Sequence, residues 1–82
     1  MRDELVMFTT TWCGYCVRLK RFLDREGIAY REVNIEDDEA AAAFVMAVNG
    51  GNRTVPTLRF PSGAALTNPS PSEVVAELSR CA

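Results

Sequence analysis

Two cysteines separated by two residues, Cys13 and Cys16, come shortly after the segment from Leu5 to Thr9, with three residues between Thr9 and Cys13. The consecutive apolar residues of that segment, bounded by polar ones, are typical of a short buried strand. From Cys13 to Glu26 apolar residues recur at helical spacing and Gly27 provides a stop signal, so the pattern predicts an amphipathic helix. Cys13 then stands at a helix N-terminus, where unpaired backbone N–H groups and the helix dipole favour a thiolate.

The Cys-X-X-Cys pair predicts redox chemistry. Two cysteines on the first turn of a helix can close a disulfide, with Cys13 reacting first and the inward-facing Cys16 second. The chain has three cysteines and no histidine, which removes a histidine-containing zinc site and a Cys–His nucleophilic dyad. We therefore predict a thiol–disulfide oxidoreductase with Cys13 and Cys16 as catalytic residues and with no bound metal or cofactor.

The composition limits the classes of protein to which the chain can belong. A chain of 82 residues has room for one domain, spanning 1–82, and 48% hydrophobic against 24% charged residues is an ordinary globular balance. A net charge of −2 gives no electrostatic footprint for nucleic acid, and no apolar run approaches the roughly 20 residues of a membrane span. The first residues lack signal-peptide features, so we expect a cytoplasmic protein. We also expect a monomer with no nucleic-acid or membrane partner.

The middle of the chain continues with a strand and a helix. Ile28 to Ile35 carries apolar residues typical of a second strand, and the helix between the two strands predicts a right-handed parallel crossover. The acidic cluster from Glu36 to Glu39 precedes an alanine-rich helix from Ala40 to Val48. We interpret this cluster as helix capping and not as a metal site.

The last third predicts a hairpin and a final helix. The strands Leu58 to Phe60 and Ala64 to Thr67 are joined by a Pro-Ser-Gly turn, which favours an antiparallel hairpin. Ser70 to Glu73 forms a capping box with proline at the first helical position. The resulting order β-α-β-α-β-β-α defines an α/β fold with a mixed sheet. The predicted buried residues of the last helix are Val74, Val75 and Leu78.

Several polar residues have a plain structural interpretation. Arg21 and Arg25 are typical of a solvated helix face, whereas Arg18 and Lys20 lie closer to the thiols and their role is left open. Cys81 continues the apolar stripe of the last helix, and we interpret it as an inert, half-buried thiol.

Two motifs carry a family resemblance. The element order, with Cys13-Gly-Tyr-Cys16 at the first strand–helix junction and Thr54-Val55-Pro56 before the third strand, resembles the glutaredoxin branch of the thioredoxin-like fold. The resemblance implies a four-stranded mixed sheet flanked by three helices. In that family the proline is cis and packs beside the active-site disulfide. Carried over, Pro56 is cis and the Val55 backbone is available to a peptide-like substrate.

Within this branch, the stretches 9–16, 48–57 and 66–70 look most like the mycoredoxins. Glutathione-dependent glutaredoxins usually have a lysine three positions before the first cysteine and a Gly-Gly plus acidic pair before the last helix. This chain has Thr10 and the segment Thr67 to Ser70 in those places. The resemblance implies mycothiol, a cysteine attached to a glucosamine–inositol unit, as co-substrate, and mycothiolated proteins as partners.

The resemblance also implies a monothiol mechanism. The Cys13 thiolate attacks a mixed disulfide between a protein and the small thiol, and Cys16 is not essential. We expect the Thr11 hydroxyl near the thiolate, and Arg53 either near the thiolate and the bound small thiol or as a solvated arginine at the edge of the hairpin. We expect Trp12 either as a substrate platform or as a packing residue, and Tyr15 either in the thiol groove or facing solvent. The expected substrate-binding residues are Thr11, Trp12, Tyr15, Arg53, Thr54, Val55, Pro56, Thr67, Asn68 and Ser70.

Two other functions compete with this prediction. The first is a dithiol redoxin that thioredoxin reductase reduces and that donates electrons to a metabolic enzyme such as ribonucleotide reductase. The second is an iron–sulfur cluster carrier that bridges a cluster between two subunits through its first cysteine and external thiols. Three cysteines cannot supply the four thiolates of a complete cluster site within one chain.

Overall fold

A computed structural model describes residues 4–80, and the predicted order β-α-β-α-β-β-α is confirmed across them. The strands are β1 (Val6–Thr9), β2 (Arg31–Asn34), β3 (Thr57–Arg59) and β4 (Ala65–Thr67). The helices are α1 (Gly14–Arg25), α2 (Glu39–Val48) and α3 (Pro71–Arg80).

The strands form one mixed sheet with the order β2-β1-β3-β4. β1 pairs in parallel with β2 through α1, as the predicted crossover requires. β3 is antiparallel to both β1 and β4, and the hairpin turn is closed by the Gly63 N–H, which donates to the Phe60 carbonyl at 2.8 Å. The central strand β1 therefore ends beside both β2 and β3, and the cysteine pair follows it.

Alternate residues of β1 supply two separate cores. Met7 packs on the face that carries α1 and α3, whereas Val6 and Phe8 pack on the face that carries α2. This is the expected consequence of side chains that alternate between the two faces of a strand. The first core contains Leu5, Met7, Cys13, Cys16, Leu19, Leu23, Leu58, Phe60 and Val74.

The end of α1 explains why β2 begins three residues later than predicted. Gly27 has a φ of 68°, and its N–H donates to the Asp24 carbonyl while the Ile28 N–H donates to Leu23. This is a Schellman motif, which requires a left-handed residue at the position of Gly27. The chain leaves this turn before it pairs with β1, so strand pairing starts only at Arg31.

Helix α3 begins as predicted but buries fewer residues. The Glu73 N–H donates to the Ser70 hydroxyl at 3.2 Å and the Ser70 N–H donates to the Glu73 carboxylate at 2.7 Å, which confirms the capping box. Val74 is fully buried and Leu78 is half-buried, but Val75 is 50% exposed, so its predicted burial is wrong. Val74 and Leu78 share a face at i and i+4, and Val75 points about 100° away from it.

Candidate redox site

Cys13 is the N-cap of α1 and its sulfur lies where a capping oxygen would otherwise lie. Its backbone is extended, and its Sγ accepts a hydrogen bond from the Cys16 N–H at 3.1 Å. The thiol also donates to the Val55 carbonyl at 3.7 Å. The predicted position of Cys13 at a helix N-terminus is confirmed, with the helix itself beginning one residue later.

Cys16 lies beneath this sulfur, in the core between the sheet and α1. Cys16 is 1% exposed. Burial, followed by the hydrogen bond with the Cys13 side chain, raises the pKa of the Cys16 thiol to about 12. Cys16 therefore stays protonated at neutral pH. Both thiols are free in this structure.

The segment facing the cysteines contains the predicted cis-proline. The peptide bond between Val55 and Pro56 is cis, as expected, and Pro56 is buried. The Pro56 carbonyl accepts from the Asn68 N–H at 2.7 Å, which attaches this segment to the end of β4. The backbone hydrogen bonds found in residues 4–80 outside the helices and strands include none from the Val55 N–H. The carbonyl of the same residue accepts the hydrogen bond from the Cys13 thiol.

Asn49, which caps the end of α2, also supports the cis-proline segment from behind, a role that the sequence pattern did not predict. Its amide nitrogen donates to the Val45 carbonyl at 2.8 Å and to the Thr57 hydroxyl at 3.2 Å. Its oxygen accepts from the Thr67 hydroxyl at 2.6 Å. The Thr57 hydroxyl in turn donates to the Thr54 carbonyl. The Thr67 proton is thus used within the fold, and its oxygen remains as an acceptor for a ligand.

Glu36 is the second residue that the sequence interpretation missed. It precedes α2, whose N-cap is Asp38, and its carboxylate turns toward the loop before Cys13. Glu36 accepts hydrogen bonds from the Trp12 indole N–H at 3.0 Å and from the Thr11 hydroxyl at 3.2 Å. These bonds, that from Trp12 first, hold the pKa of the Glu36 carboxyl below its usual range. The capping interpretation holds for Asp38 and is wrong for Glu36.

The structure shows where three neighbouring residues of the predicted site lie. The Thr11 hydroxyl donates its proton to Glu36 and not to the Cys13 thiolate. Trp12 is 74% exposed and is not a core packing residue. Arg53 lines a pocket of about 360 Å³ near α2, together with Glu36. It does not line a second pocket, the groove that lies beside Tyr15.

That groove lies between α1 and the start of α3. It has a volume of about 520 Å³ and brings together Tyr15, Asn68 and Ser70, three of the predicted substrate-binding residues. Tyr15 is 58% exposed, and the Arg18 guanidinium lies 5.6 Å from the centre of its ring. Thr54 is also exposed. The groove runs along α1 from Tyr15 to Arg25, and neither Cys13 nor Cys16 is among its lining residues.

Thr10 occupies the position where glutathione-dependent glutaredoxins usually have lysine. Its hydroxyl is buried and has no hydrogen-bond partner within residues 4–80. Lys20, whose role the sequence left open, forms an ion pair with Glu32 at 3.1 Å. Neither residue places a cation beside Cys13.

No group of three or more cysteine, histidine or acidic residues in the described part of the chain is placed to hold a metal ion. No helix within 4–80 is long and apolar enough to cross a membrane. The interpretation of Cys81 falls outside the described residues.

The cysteine pair lies at the start of α1 and faces the cis-proline segment. Together with the mixed four-stranded sheet, this arrangement defines a redox protein of the thioredoxin-like fold. The family model for glutaredoxin matches residues 5–62. The chain belongs to the glutaredoxin family of thiol oxidoreductases, and within it the chain is mycoredoxin-like.

Three relatives illustrate this placement. A glutaredoxin of Mycobacterium tuberculosis strain H37Rv is 59% identical over 78 residues, which are 95% of this chain and 93% of that protein. Mycoredoxin 1 of Corynebacterium glutamicum is 40% identical over 76 residues, covering 93% and 94% of the two chains. The crystal structure of a buckwheat glutaredoxin–glutathione complex superposes with a TM-score of 0.72 at 27% identity, covering 95% of this chain and 78% of that one.

Proposed function

We propose that this protein reduces mixed disulfides between proteins and mycothiol, with Cys13 as the nucleophile of a monothiol mechanism. The observation that carries the proposal is the environment of the two sulfurs. The Cys13 sulfur accepts a backbone N–H at the start of α1, whereas Cys16 is buried and has a pKa of about 12. The similarity to Mycoredoxin 1 supports mycothiol as the small thiol.

The reaction proceeds in two exchanges. The Cys13 thiolate attacks the mycothiol sulfur of the mixed disulfide, the old S–S bond breaks, and the client cysteine leaves as a thiolate that takes up a proton. Cys13 is then joined to mycothiol. A second mycothiol thiolate attacks the mycothiol sulfur of this adduct, Cys13 leaves as a thiolate, and the oxidised product is the mycothiol disulfide. Cys16 stays protonated through both steps.

The small thiol is proposed to bind between the cis-proline segment and the start of α3. The Val55 N–H makes no backbone hydrogen bond within residues 4–80 and is proposed as a donor to the small thiol, and the Tyr15 ring forms one wall. Asn68 and Ser70 offer amide and hydroxyl groups, which suit the hydroxyl-rich sugar and inositol of mycothiol. Glutathione carries two carboxylates instead, and the Thr10 position lacks the lysine that would face one of them. The other proposed contact residues are Thr11, Trp12, Arg53, Thr54, Pro56 and Thr67.

We further propose that the protein works as a single chain in the cytoplasm, where small thiols keep cysteines reduced. Its partners are then mycothiol and mycothiolated proteins.

The test is turnover of one mixed disulfide, prepared once with mycothiol and once with glutathione, each with its matching thiol and reductase. We expect a strong preference for mycothiol in the wild type, which Cys16→Ser retains and Cys13→Ser loses. If Cys16→Ser lost activity as completely as Cys13→Ser, and thioredoxin reductase reduced the wild-type disulfide directly, the protein would be a dithiol redoxin.

A further inference from the structure

The groove beside Tyr15 continues along α1 well beyond the cysteines. Three arginines on this helix line it, Arg18, Arg21 and Arg25, and all three are exposed. The opposite wall contributes one carboxylate, Glu73, which already accepts the Ser70 N–H at the start of α3. The groove lining therefore carries three cations against one anion, although the whole chain has a net charge of −2.

These cations are not neutralised by other parts of the described chain. The ion pairs found within residues 4–80 include neither Arg18 nor Arg21. Arg25 contacts Glu26 at 3.6 Å, but both side chains are more than half exposed, and pairs of this kind contribute little. The Arg25 guanidinium also lies 5.8 Å from the centre of the Phe22 ring. The Arg25 charge thus lies over the Phe22 ring, which is an apolar part of the groove wall, and the charge faces solvent.

The length of the groove excludes a small thiol as the partner of all three arginines. Arg21 and Arg25 follow Cys13 by eight and twelve residues, which places them about 12 and 18 Å along the axis of α1. A thiol the size of a tripeptide spans at most about 10 Å when fully extended. A polypeptide segment covers about 18 Å with five or six extended residues. Only a longer chain attached near Cys13 reaches Arg25.

We propose that this groove binds an extended acidic segment of the client protein, adjacent to the client's modified cysteine. The proposal rests on the proposed function, because the client is present in the site only while its mixed disulfide is being reduced. Acidic side chains three to six residues from that cysteine face Arg21 and Arg25, and apolar parts of the segment contact the half-buried Phe22 and the prolines at the start of α3. The groove thereby selects among mycothiolated proteins.

The experiment compares two octapeptides, each with one cysteine joined to mycothiol. One carries aspartate and glutamate three to six residues from the cysteine, and the other carries asparagine and glutamine at the same positions. We expect the wild type to reduce the acidic peptide about tenfold faster in kcat/KM at low ionic strength, with the difference shrinking as salt is added. Arg21→Ser is expected to lower the acidic rate about threefold and to leave the neutral rate unchanged.

Arg31→Ser is the matched control. It changes the net charge by the same amount, but Arg31 lies on β2, where it pairs with Glu4. We expect it to leave both peptides unchanged. Arg21→Glu is expected to reverse the preference, slowing the acidic peptide further and accelerating a third peptide with lysines at the same positions.

Binding is measured separately from turnover by titrating ¹⁵N-labelled protein with the same acidic and neutral peptides carrying serine in place of cysteine. We expect shifts at Arg18, Arg21 and Phe22 with the acidic peptide only. Equal shifts with both peptides, or equal effects of Arg21→Ser and Arg31→Ser, would overturn the groove proposal while leaving the proposed function intact. Groove shifts without turnover of either mixed disulfide would instead overturn the proposed function.

Discussion

Cys13 and Cys16 belong to one short motif, but the surroundings of the two thiols differ in kind. The loop before Cys13 is exposed and is held by hydrogen bonds from Thr11 and Trp12 to Glu36, a residue 24 positions beyond Trp12. Both thiols lie in the core on the α1 face of the sheet, but Cys16, at 1% exposure, is buried more deeply than Cys13, at 8%. The properties of the two thiols are therefore determined in different ways. Charge and hydrogen bonding set the geometry at the reactive end, whereas burial sets the protonation of the second thiol.

The largest expected effect is on the chemical reactivity of Cys16. In a Cys13→Ser, Cys81→Ser variant, Cys16 is the only thiol, and burial, the largest cause of its raised pKa, remains. At pH 8 we expect alkylation by iodoacetamide to be at least about a hundredfold slower than for the same variant in denaturant, because so little thiolate is present. The measurement is the second-order alkylation rate against pH.

The direction of this pH dependence follows from the sign of the shift. The pKa of Cys16 is raised from 9.0 to about 12, so the thiol's contribution to stability is complete below pH 9 and is lost as the pH rises toward 12. The alkylation rate should rise tenfold per pH unit across that window. A plateau near pH 9 in the folded variant would show that Cys16 has the pKa of an ordinary cysteine, and the contrast with Cys13 would then fail.

A smaller effect is expected at the Cys13 end. Thr11 and Trp12 each donate to a different oxygen of the Glu36 carboxylate, and Glu36→Gln leaves only one acceptor oxygen for the two donors. We expect kcat/KM for a mycothiol mixed disulfide to fall about fivefold, a loss typical of a displaced positioning contact. Trp12 is the only tryptophan, so its fluorescence reports on the same contact.

The fluorescence distinguishes positioning from general destabilisation. Because the pKa of Glu36 is lowered, its hydrogen bonds persist as the pH falls through the usual range of glutamate and are lost only below it. The wild-type Trp12 emission should change with a midpoint below pH 4.5, and Glu36→Gln should abolish that transition. Asp37→Asn is the control, since no contact joins Asp37 to Trp12. An unchanged transition in Glu36→Gln would assign it to another group.

The features that sequence alone predicted are those with a local signature. The capping box of Ser70 and Glu73 and the stop at Gly27 depend on residues within one turn, and the structure confirms both. Glu36 and Asn49 depend on partners that only the folded sheet brings near, and local spacing favoured helix-end roles for both. Local spacing was also insufficient for Arg21 and Arg25 on α1. Both are exposed as predicted, but they face α3 across a groove.

The smallest effect concerns two neighbouring threonines, Thr9 at the end of β1 and Thr10 directly after it. Both are buried, but the Thr9 hydroxyl donates to Glu32 at 3.0 Å, whereas the Thr10 hydroxyl has no partner in the described part of the chain. Thr10→Val removes an unsatisfied group at constant shape and should raise the free energy of unfolding by about 1 kcal/mol. Thr9→Val removes a satisfied donor beside a carboxylate and should lower it by about 1 kcal/mol.

The two expected changes have opposite signs, so an effect common to both substitutions cannot produce both results. Thermal unfolding is the measurement, and 1 kcal/mol corresponds to about 4–8 °C in Tm for a domain of this size. If Thr10→Val lowered Tm as Thr9→Val does, the Thr10 hydroxyl would have a partner of its own, such as a bound water. A loss of turnover without loss of Tm in Thr10→Val would instead assign that hydroxyl to the reaction at Cys13.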